Sequence, residues 1–236
     1  MERQYTQWES PHLGRTMELL WFGHAGRPVV VFPTSMGRFF QYEDFGLIGG
    51  LAPLIEAGAV QFCCVDSVDA ESWYNKSAPP AARVRRHDQY DRYLREEVFP
   101  YMRQRTGRDD FVLFGCSFGG YHVMNLACRY PDEVTKAIAF SGIFDIHNYL
   151  DGYWDELCYF HCPTAFVPNM NGEWVGRLSR VGFVIATGEH DHLAGENRRF
   201  ITILDDKGIP INGEIWPGVF GHDWSFWTDH LPRFLP

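Results

Sequence analysis

The sequence predicts one α/β domain in which a mainly parallel β-sheet carries helices on both faces. Short runs of consecutive apolar residues recur along the chain, and such runs are typical of strands buried on both faces of a parallel sheet. Longer amphipathic segments lie between them, and this alternation predicts successive strand–helix units. The chain has 236 residues and no repeat, low-complexity tract or Gly/Ser linker, so we treat residues 1–236 as a single domain.

The predicted strands begin with Arg15–Phe22, which partly alternates between polar and apolar residues. This alternation favours an antiparallel first strand with one exposed face. Continuous apolar runs then predict the buried strands at residues 29–32, Val60–Val65, 111–114, 137–140 and 181–186, and a last strand is predicted at 214–216.

Helical patterns fill the intervals between these strands. Residues 82–105 have apolar residues four apart, with Pro100 expected to kink or restart the helix. A second helix is predicted at Phe118–Arg129, ending before Pro131, and a third at residues 196–204. Residues 144–179 break the alternation and are rich in Trp, Tyr, Pro and Asn. We interpret them as a cap-like insertion over the carboxyl edge of the sheet, where such folds bind ligands.

Composition and charge exclude several classes of protein. The chain has 30 acidic and 21 basic residues. A protein that binds the phosphates of a nucleic acid needs an excess of basic residues instead. No apolar run reaches the roughly 18–20 residues that span a bilayer, and the first residues lack the apolar stretch of a secretory signal. We therefore expect a cytoplasmic protein with no nucleic-acid or membrane partner, and the oligomeric state stays open.

The six cysteines are expected to be reduced, because a chain of this length needs no disulfide staples. The segment 158–162 (CYFHC) contains two of them with a histidine, but no second pair at zinc-finger spacing accompanies it. Aromatic residues make up 16% of the chain. Part of this surplus must be core, and we expect the rest to line a binding pocket.

A nucleophile motif follows the strand predicted at residues 111–114. Gly115-Cys116-Ser117-Phe118-Gly119 matches G-x-S-x-G and lies directly between a strand and a helix, the context that this motif requires. The serine must occupy a strained turn with its hydroxyl exposed, and glycines avoid collisions on either side. The alternative is a tight turn in which Ser117 only caps the helix.

A serine nucleophile needs a base and an orienting acid, in the chain order Ser, Asp or Glu, His. Asp191 follows the strand at 181–186, and His222 follows the strand at 214–216. Both positions are at strand carboxyl ends, on the same edge as Ser117. We predict Ser117, Asp191 and His222 as the triad, with Glu189 as an alternative acid.

Other histidines near these loops have weaker claims. His190 and His192 are so close in sequence to Asp191 that we expect neither to be oriented by it. As an H-x-H pair they lack an obvious third metal ligand, so no metal or organic cofactor is predicted. His230 is expected to be a surface or packing residue, and His122, one turn after the serine, could border the pocket.

The oxyanion hole should combine two backbone N–H groups. Phe118, the residue after the nucleophile, supplies the first, and the loop after residues 29–32 supplies the second. In that loop, Ser35 is our choice and Met36 the reserve. The alternative is an ordinary polar loop between a strand and a helix.

These motifs resemble the esterase D-like and feruloyl esterase-like "putative esterase" family of the α/β-hydrolase superfamily. The matching stretches are residues 115–121 (GCSFGGY), 129–132 (RYPD), 140–142 (FSG), 187–191 (TGEHD) and 221–224 (GHDW). The resemblance implies an α/β-hydrolase fold with Ser117 as nucleophile, Asp191 as acid and His222 as base. It also implies that Trp73 and Tyr74 line the pocket. The oxyanion loop departs from the family's usual His-Gly pattern.

We therefore predict a serine hydrolase that cleaves small carboxylic esters, short-chain or aryl, through an acyl-enzyme. Met36, Trp73, Tyr74 and Tyr121 are the predicted substrate contacts. The alternatives are an acyltransferase that uses the same triad and, in a different class, a non-catalytic binding module on a hydrolase scaffold.

Overall fold

The computed structural model describes residues 1–235, which build one eight-stranded sheet in the order β1-β2-β4-β3-β5-β6-β7-β8. The strands are β1 (Arg3–Ser10), β2 (Arg15–Phe22), β3 (Arg27–Phe32), β4 (Val60–Val65), β5 (Val112–Cys116), β6 (Lys136–Phe140), β7 (Gly182–Gly188) and β8 (Ile211–Trp216). Strands β1 and β2 pair antiparallel, as do β2 and β4. All other neighbours are parallel. The predicted fold class is confirmed.

Strand β1 has no counterpart among the strands predicted from the sequence. It forms a hairpin with β2 at the edge of the sheet, and most of its residues are exposed or half-buried. The central strands bury both faces and therefore appear in sequence as continuous apolar runs. An edge strand that buries neither face fully has no such pattern.

Helices cover both faces of the sheet. They are α1 (Gln41–Asp44), α2 (Leu47–Gly50), α3 (Ala52–Glu56), α4 (Pro80–Tyr93), α5 (Phe99–Thr106), α6 (Phe118–Arg129), α7 (Glu156–Phe160), α8 (Pro163–Phe166), α9 (Glu173–Leu178), α10 (Ala194–Asp206) and α11 (Trp224–His230). Val30 and Phe32 of β3 belong to the core cluster under α4, α5, α6 and α10. Val29 and Val31 belong to the opposite cluster, under α1–α3 and α11.

The helix predicted at residues 82–105 is interrupted close to Pro100, the residue expected to kink or restart it. A π-helical turn, Leu94–Val98, separates α4 from α5. Pro100 lies in the first turn of α5 and has no N–H to donate to the carbonyl of Glu96. The hydrogen-bond ladder therefore shifts before this residue.

The segment 144–179 contains α7–α9 with short 3₁₀ turns at His147–Tyr149 and Val167–Asn169. Its side chains Phe144, Phe166 and Leu178 belong to the main core cluster. Its first 3₁₀ turn contacts α6, because the ring centroids of Tyr149 and Phe118 lie 5.3 Å apart. A role as a cap over bound ester stays a prediction. Among residues 1–235, no helix combines the length and the apolar character needed to cross a membrane.

Candidate active site

Ser117 lies on a strained turn between β5 and α6. Its φ of 56° is in the left-handed region, which is rare for residues other than glycine. The flanking glycines permit this turn. A Cβ on Gly115 would lie 2.4 Å from the backbone of Gly119, and a Cβ on Gly119 would lie 2.4 Å from the Phe32 carbonyl oxygen. The turn therefore needs glycine on both sides of the serine.

Asp191 and His222 come together at the same edge of the sheet. Asp191 follows β7 and His222 follows β8, and His222 Nδ1 lies 3.1 Å from both carboxylate oxygens. Thr187 Oγ1 (2.7 Å) and the Leu193 N–H (2.8 Å) also donate to Asp191. Burial raises the pKa of Asp191, but the hydrogen bonds that the carboxylate accepts outweigh this effect and lower the pKa to about 2. The carboxylate is therefore charged at neutral pH and able to orient the imidazole.

The two loops that contain Asp191 and His222 are in direct contact. A Cβ on Gly221 would lie 2.4 Å from the backbone nitrogen of Gly188, so this approach requires glycine. Ser141 Oγ donates to the Gly221 carbonyl at 2.6 Å, and Trp227 Nε1 donates to Ser141 Oγ at 3.2 Å. These contacts fix the backbone next to His222.

Two backbone N–H groups were predicted to form the oxyanion hole, and we compare their hydrogen bonding among residues 1–235. Phe118 is the first residue of α6, so its N–H has no partner within the helix. The Ser35 N–H makes no hydrogen bond with any residue among 1–235. The Met36 N–H, by contrast, donates to Asp69 Oδ2 at 3.3 Å. Of the two candidates in this loop, only Ser35 has an N–H without a partner among the described residues, and its role as a donor stays a prediction.

The rival acid and the neighbouring histidines are also placed by the structure. Glu189 is exposed and accepts the Gly218 N–H at 3.0 Å, whereas Asp191 contacts His222. His192 Nδ1 lies 3.3 Å from Asp191 Oδ1. The turn after β7 brings this exposed ring close to the carboxylate, and our expectation that Asp191 orients neither neighbouring histidine stays a prediction.

Comparisons with known proteins identify the family of this chain. A family model described as "Putative esterase" matches residues 54–236. The chain belongs to this esterase family. It is a carboxylic ester hydrolase that acts on small-molecule esters, and the resemblance stated from the sequence is confirmed.

Solved structures share the fold of this esterase at low sequence identity. A ferulic acid esterase matches with a TM-score of 0.80 and 16% identity, over 100% of this chain and 96% of that one. An S-formylglutathione hydrolase of Staphylococcus aureus matches with 0.72 and 18%, over 99% and 97%. A fluorophosphonate-binding serine hydrolase of the same organism matches with 0.72 and 20%, over 99% and 96%. No curated protein sequence matches significantly.

Two of the predicted substrate contacts lie at the mouth of the esterase site. Met36 is 54% exposed next to Ser35. Tyr74 is half-buried, and its hydroxyl lies 2.7 Å from Ser35 Oγ and 3.2 Å from the Tyr149 hydroxyl. Both side chains therefore lie beside Ser35 and are at least partly open to solvent, and their contact with substrate stays a prediction.

The other two predicted contacts need correction. Trp73 and Tyr121 are fully buried in a cluster that also contains Phe118. The Tyr121 hydroxyl donates to the His161 carbonyl at 2.9 Å. Both rings pack in the interior with Phe118 and expose no surface to solvent.

A second Asp–His pair near Ser117 was not predicted. His122 Nε2 lies 2.9 Å from Asp69 Oδ1, and both side chains are buried. His122 therefore does not border an open pocket. Its place one turn after Ser117 was visible in the sequence, but its partner is 53 residues away.

The segment 158–162 does not form one ligand set in the esterase. His161 groups with His87 and Asp91, whereas Cys162 groups with Asp145 and His147. The two side chains therefore point toward different partners. All six cysteines are buried free thiols. His230 packs as expected, with its Nδ1 2.8 Å from the Phe226 carbonyl oxygen.

Proposed function

We propose that this esterase hydrolyses small esters through an acyl-enzyme on Ser117, with His222 as general base and Asp191 as its orienting acid. The observation that carries this proposal is the Asp191–His222 contact at the sheet edge where Ser117 occupies its strained turn. A strained serine alone suits any tight turn. Its combination with an accessible histidine and a buried carboxylate is what acyl transfer requires.

The reaction proceeds in two halves. In the first, Ser117 Oγ attacks the ester carbonyl while His222 Nε2 takes the hydroxyl proton, and the tetrahedral intermediate then expels the alcohol, which receives that proton. In the second, water attacks the acyl-enzyme, and His222 takes a proton from the water. Collapse of the second intermediate returns this proton to Ser117 and releases the carboxylic acid.

Charge develops at two places, and each has a matching group. The carbonyl oxygen becomes an oxyanion between the Phe118 and Ser35 N–H groups, each worth about 3 kcal/mol by comparison with donors removed from other enzymes. The imidazolium that forms at His222 is stabilised by Asp191, whose pKa of about 2 keeps it anionic.

Short-chain and aryl acyl groups are the substrates we propose. Met36, Tyr74 and Tyr149 present apolar and aromatic surface beside Ser35, which suits a small acyl group or an aromatic ring. The titles of two fold relatives name a ferulic acid esterase and an S-formylglutathione hydrolase. A panel of p-nitrophenyl esters of increasing acyl length, together with methyl ferulate, tests this choice.

Replacement of the nucleophile tests the mechanism. We expect Ser117→Ala to lower kcat for p-nitrophenyl acetate by about 10⁴-fold or more, and to abolish labelling by a fluorophosphonate probe. Ser77→Ala is the matched control, because Ser77 is exposed and its hydroxyl contacts only Asn75 among the described residues. Undiminished hydrolysis by a folded Ser117→Ala protein would falsify the assignment.

A further inference from the structure

We propose that Asp191, His192 and His222 form a binding site for a divalent transition-metal ion such as Zn²⁺, and that occupation of this site inhibits the esterase. The inference rests on the proposed role of His222. It adds a function to His192, which has no part in the acyl-transfer steps.

The three side chains have the spacing of a zinc site. His222 Nδ1 lies 3.1 Å from Asp191 Oδ1, and His192 Nδ1 lies 3.3 Å from the same oxygen. All three ligand atoms lie within 4.8 Å of one another. Zinc binds nitrogen and oxygen at about 2.0–2.2 Å in a tetrahedron, which places neighbouring ligand atoms about 3.4 Å apart. Two of the three separations therefore need only small adjustments.

Solvent reaches this site from one side. The His192 side chain is 71% exposed, the His222 ring is 24% exposed, and the Asp191 carboxylate is buried beneath them. An ion arriving from solvent would meet His192 first and keep a fourth position open to water. The formal net charge of −9 favours the approach of a cation.

Two other groups of possible ligands are less suitable. Among His87, Asp91 and His161, the Arg129 guanidinium already bonds to Asp91 and lies 2.9 Å from His161 Nδ1. A cation there would displace a buried positive charge.

The second group contains Asp145, His147 and Cys162. Burial raises the pKa of the Cys162 thiol, which disfavours the thiolate that metal binding needs. Arg199 also lies 3.3 Å from Asp145. In both groups an arginine already contacts a ligand residue. The site formed by Asp191, His192 and His222 has no such arginine contact among the described residues.

Inhibition follows from the tautomer of His222. In the free enzyme Nδ1 carries the proton that Asp191 accepts, and Nε2 has the lone pair that receives the Ser117 proton. A metal ion binds Nδ1 only when that nitrogen has released its proton to solvent, and its bond to the Nδ1 lone pair means that a neutral ring carries its one proton on Nε2. His222 would then be a donor toward Ser117 and unable to act as base. The ion also neutralises the charge of Asp191.

The first experiment measures hydrolysis of p-nitrophenyl acetate against ZnCl₂ concentration in a buffer that does not chelate the ion. We expect Zn²⁺ to inhibit the wild type, with full recovery after EDTA. His192→Ala should retain basal activity and need about tenfold or more Zn²⁺ for half-inhibition, since loss of even an outer-shell partner often costs a metal site that much. His190→Ala is the matched control, because His190 is exposed in the same loop and belongs to none of the ligand groups found among residues 1–235.

The second experiment measures Zn²⁺ binding by calorimetry without relying on activity. Ser117→Ala keeps all three ligands, so it should bind Zn²⁺ as the wild type does, and the Ser117→Ala/His192→Ala protein should bind about tenfold more weakly or not at all. Equal inhibition or equal binding with and without His192, or no inhibition of the wild type, overturns the metal site. These results leave the esterase mechanism intact. That mechanism fails instead if Ser117→Ala remains active.

Discussion

Two Asp–His pairs lie near Ser117, and they differ chiefly in their access to solvent. In the first, His222 Nδ1 is 3.1 Å from Asp191 and the ring is 24% exposed. In the second, His122 Nε2 is 2.9 Å from Asp69, and both side chains are within 1% of complete burial. The hydrogen-bond distances alone do not distinguish them. Exposure does, because a general base must reach substrate.

The residues around each pair indicate that the two pairs have different roles. The first pair is surrounded by the two loops at the ends of β7 and β8. The second connects α6 to the oxyanion loop, since Asp69 also accepts the Met36 N–H at 3.3 Å. The His122 ring packs against Phe32 (5.8 Å) and Phe118 (5.3 Å). We interpret Asp69 and His122 as positioning residues that hold the turn containing Ser35 beside Ser117.

Among substitutions within these two pairs, the largest effect on kcat is expected from Asp191→Asn. This substitution keeps the side-chain volume but removes the charge that fixes the His222 tautomer and stabilises the imidazolium. We expect kcat for p-nitrophenyl acetate to fall about 10⁴-fold, as in other triads, with little change in KM. Steady-state kinetics measure both. A kcat within tenfold of the wild type would show that another group orients His222.

Acid titration of the same variant adds a stability measurement. The pKa of Asp191 is lowered from its ordinary value of 3.8 to about 2 in the folded protein. The ionised carboxylate therefore contributes about 2 kcal/mol above pH 4, and this is lost as the pH falls toward 2. We expect the difference in Tm between wild type and Asp191→Asn to be greatest near pH 6 and to shrink below pH 3. A constant difference would contradict the low pKa.

A smaller effect on activity is expected from Asp69→Asn, together with a larger effect on stability. The buried His122 and the Met36 N–H would lose a charged acceptor, and hydrogen bonds to charged groups contribute about 1.5–3 kcal/mol each. We expect thermal unfolding at a clearly lower Tm and a kcat about tenfold lower, because the oxyanion loop is less well held. If Asp69→Asn lost as much kcat as Asp191→Asn at an unchanged Tm, the two pairs would have the opposite roles.

The two pairs also show which features of the fold and the site could be predicted from the sequence. Strand β4 was predicted at its observed bounds because burial on both faces makes residues 60–65 continuously apolar. The residues proposed as nucleophile, acid and base could be chosen because chain order and strand ends restrict them to one edge of a parallel sheet. The Asp69–His122 pair could not be found, since it depends on how two distant segments pack.

The aromatic residues were harder to assign than the charged ones. Trp73 and Tyr121 were predicted to contact substrate, yet both are buried. An aromatic residue near a catalytic motif has the same pattern in sequence whether it lines a pocket or supports the motif from inside. Tyr74, the neighbour of Trp73, is half-buried at the mouth of the site. Adjacent residues therefore lie in different environments, one in the core and one at the surface, and composition alone does not distinguish them.

The smallest effect is expected from Glu189→Gln, which tests the alternative acid two residues before Asp191. The Glu189 carboxylate is exposed and accepts the Gly218 N–H at 3.0 Å. A glutamine oxygen can accept the same hydrogen bond. Surface substitutions of this kind change the free energy of unfolding by at most about 0.5 kcal/mol. We therefore expect a folded protein whose kcat and KM stay within about twofold of the wild type. A loss comparable to that of Asp191→Asn would mean that Glu189 replaces Asp191 when substrate binds.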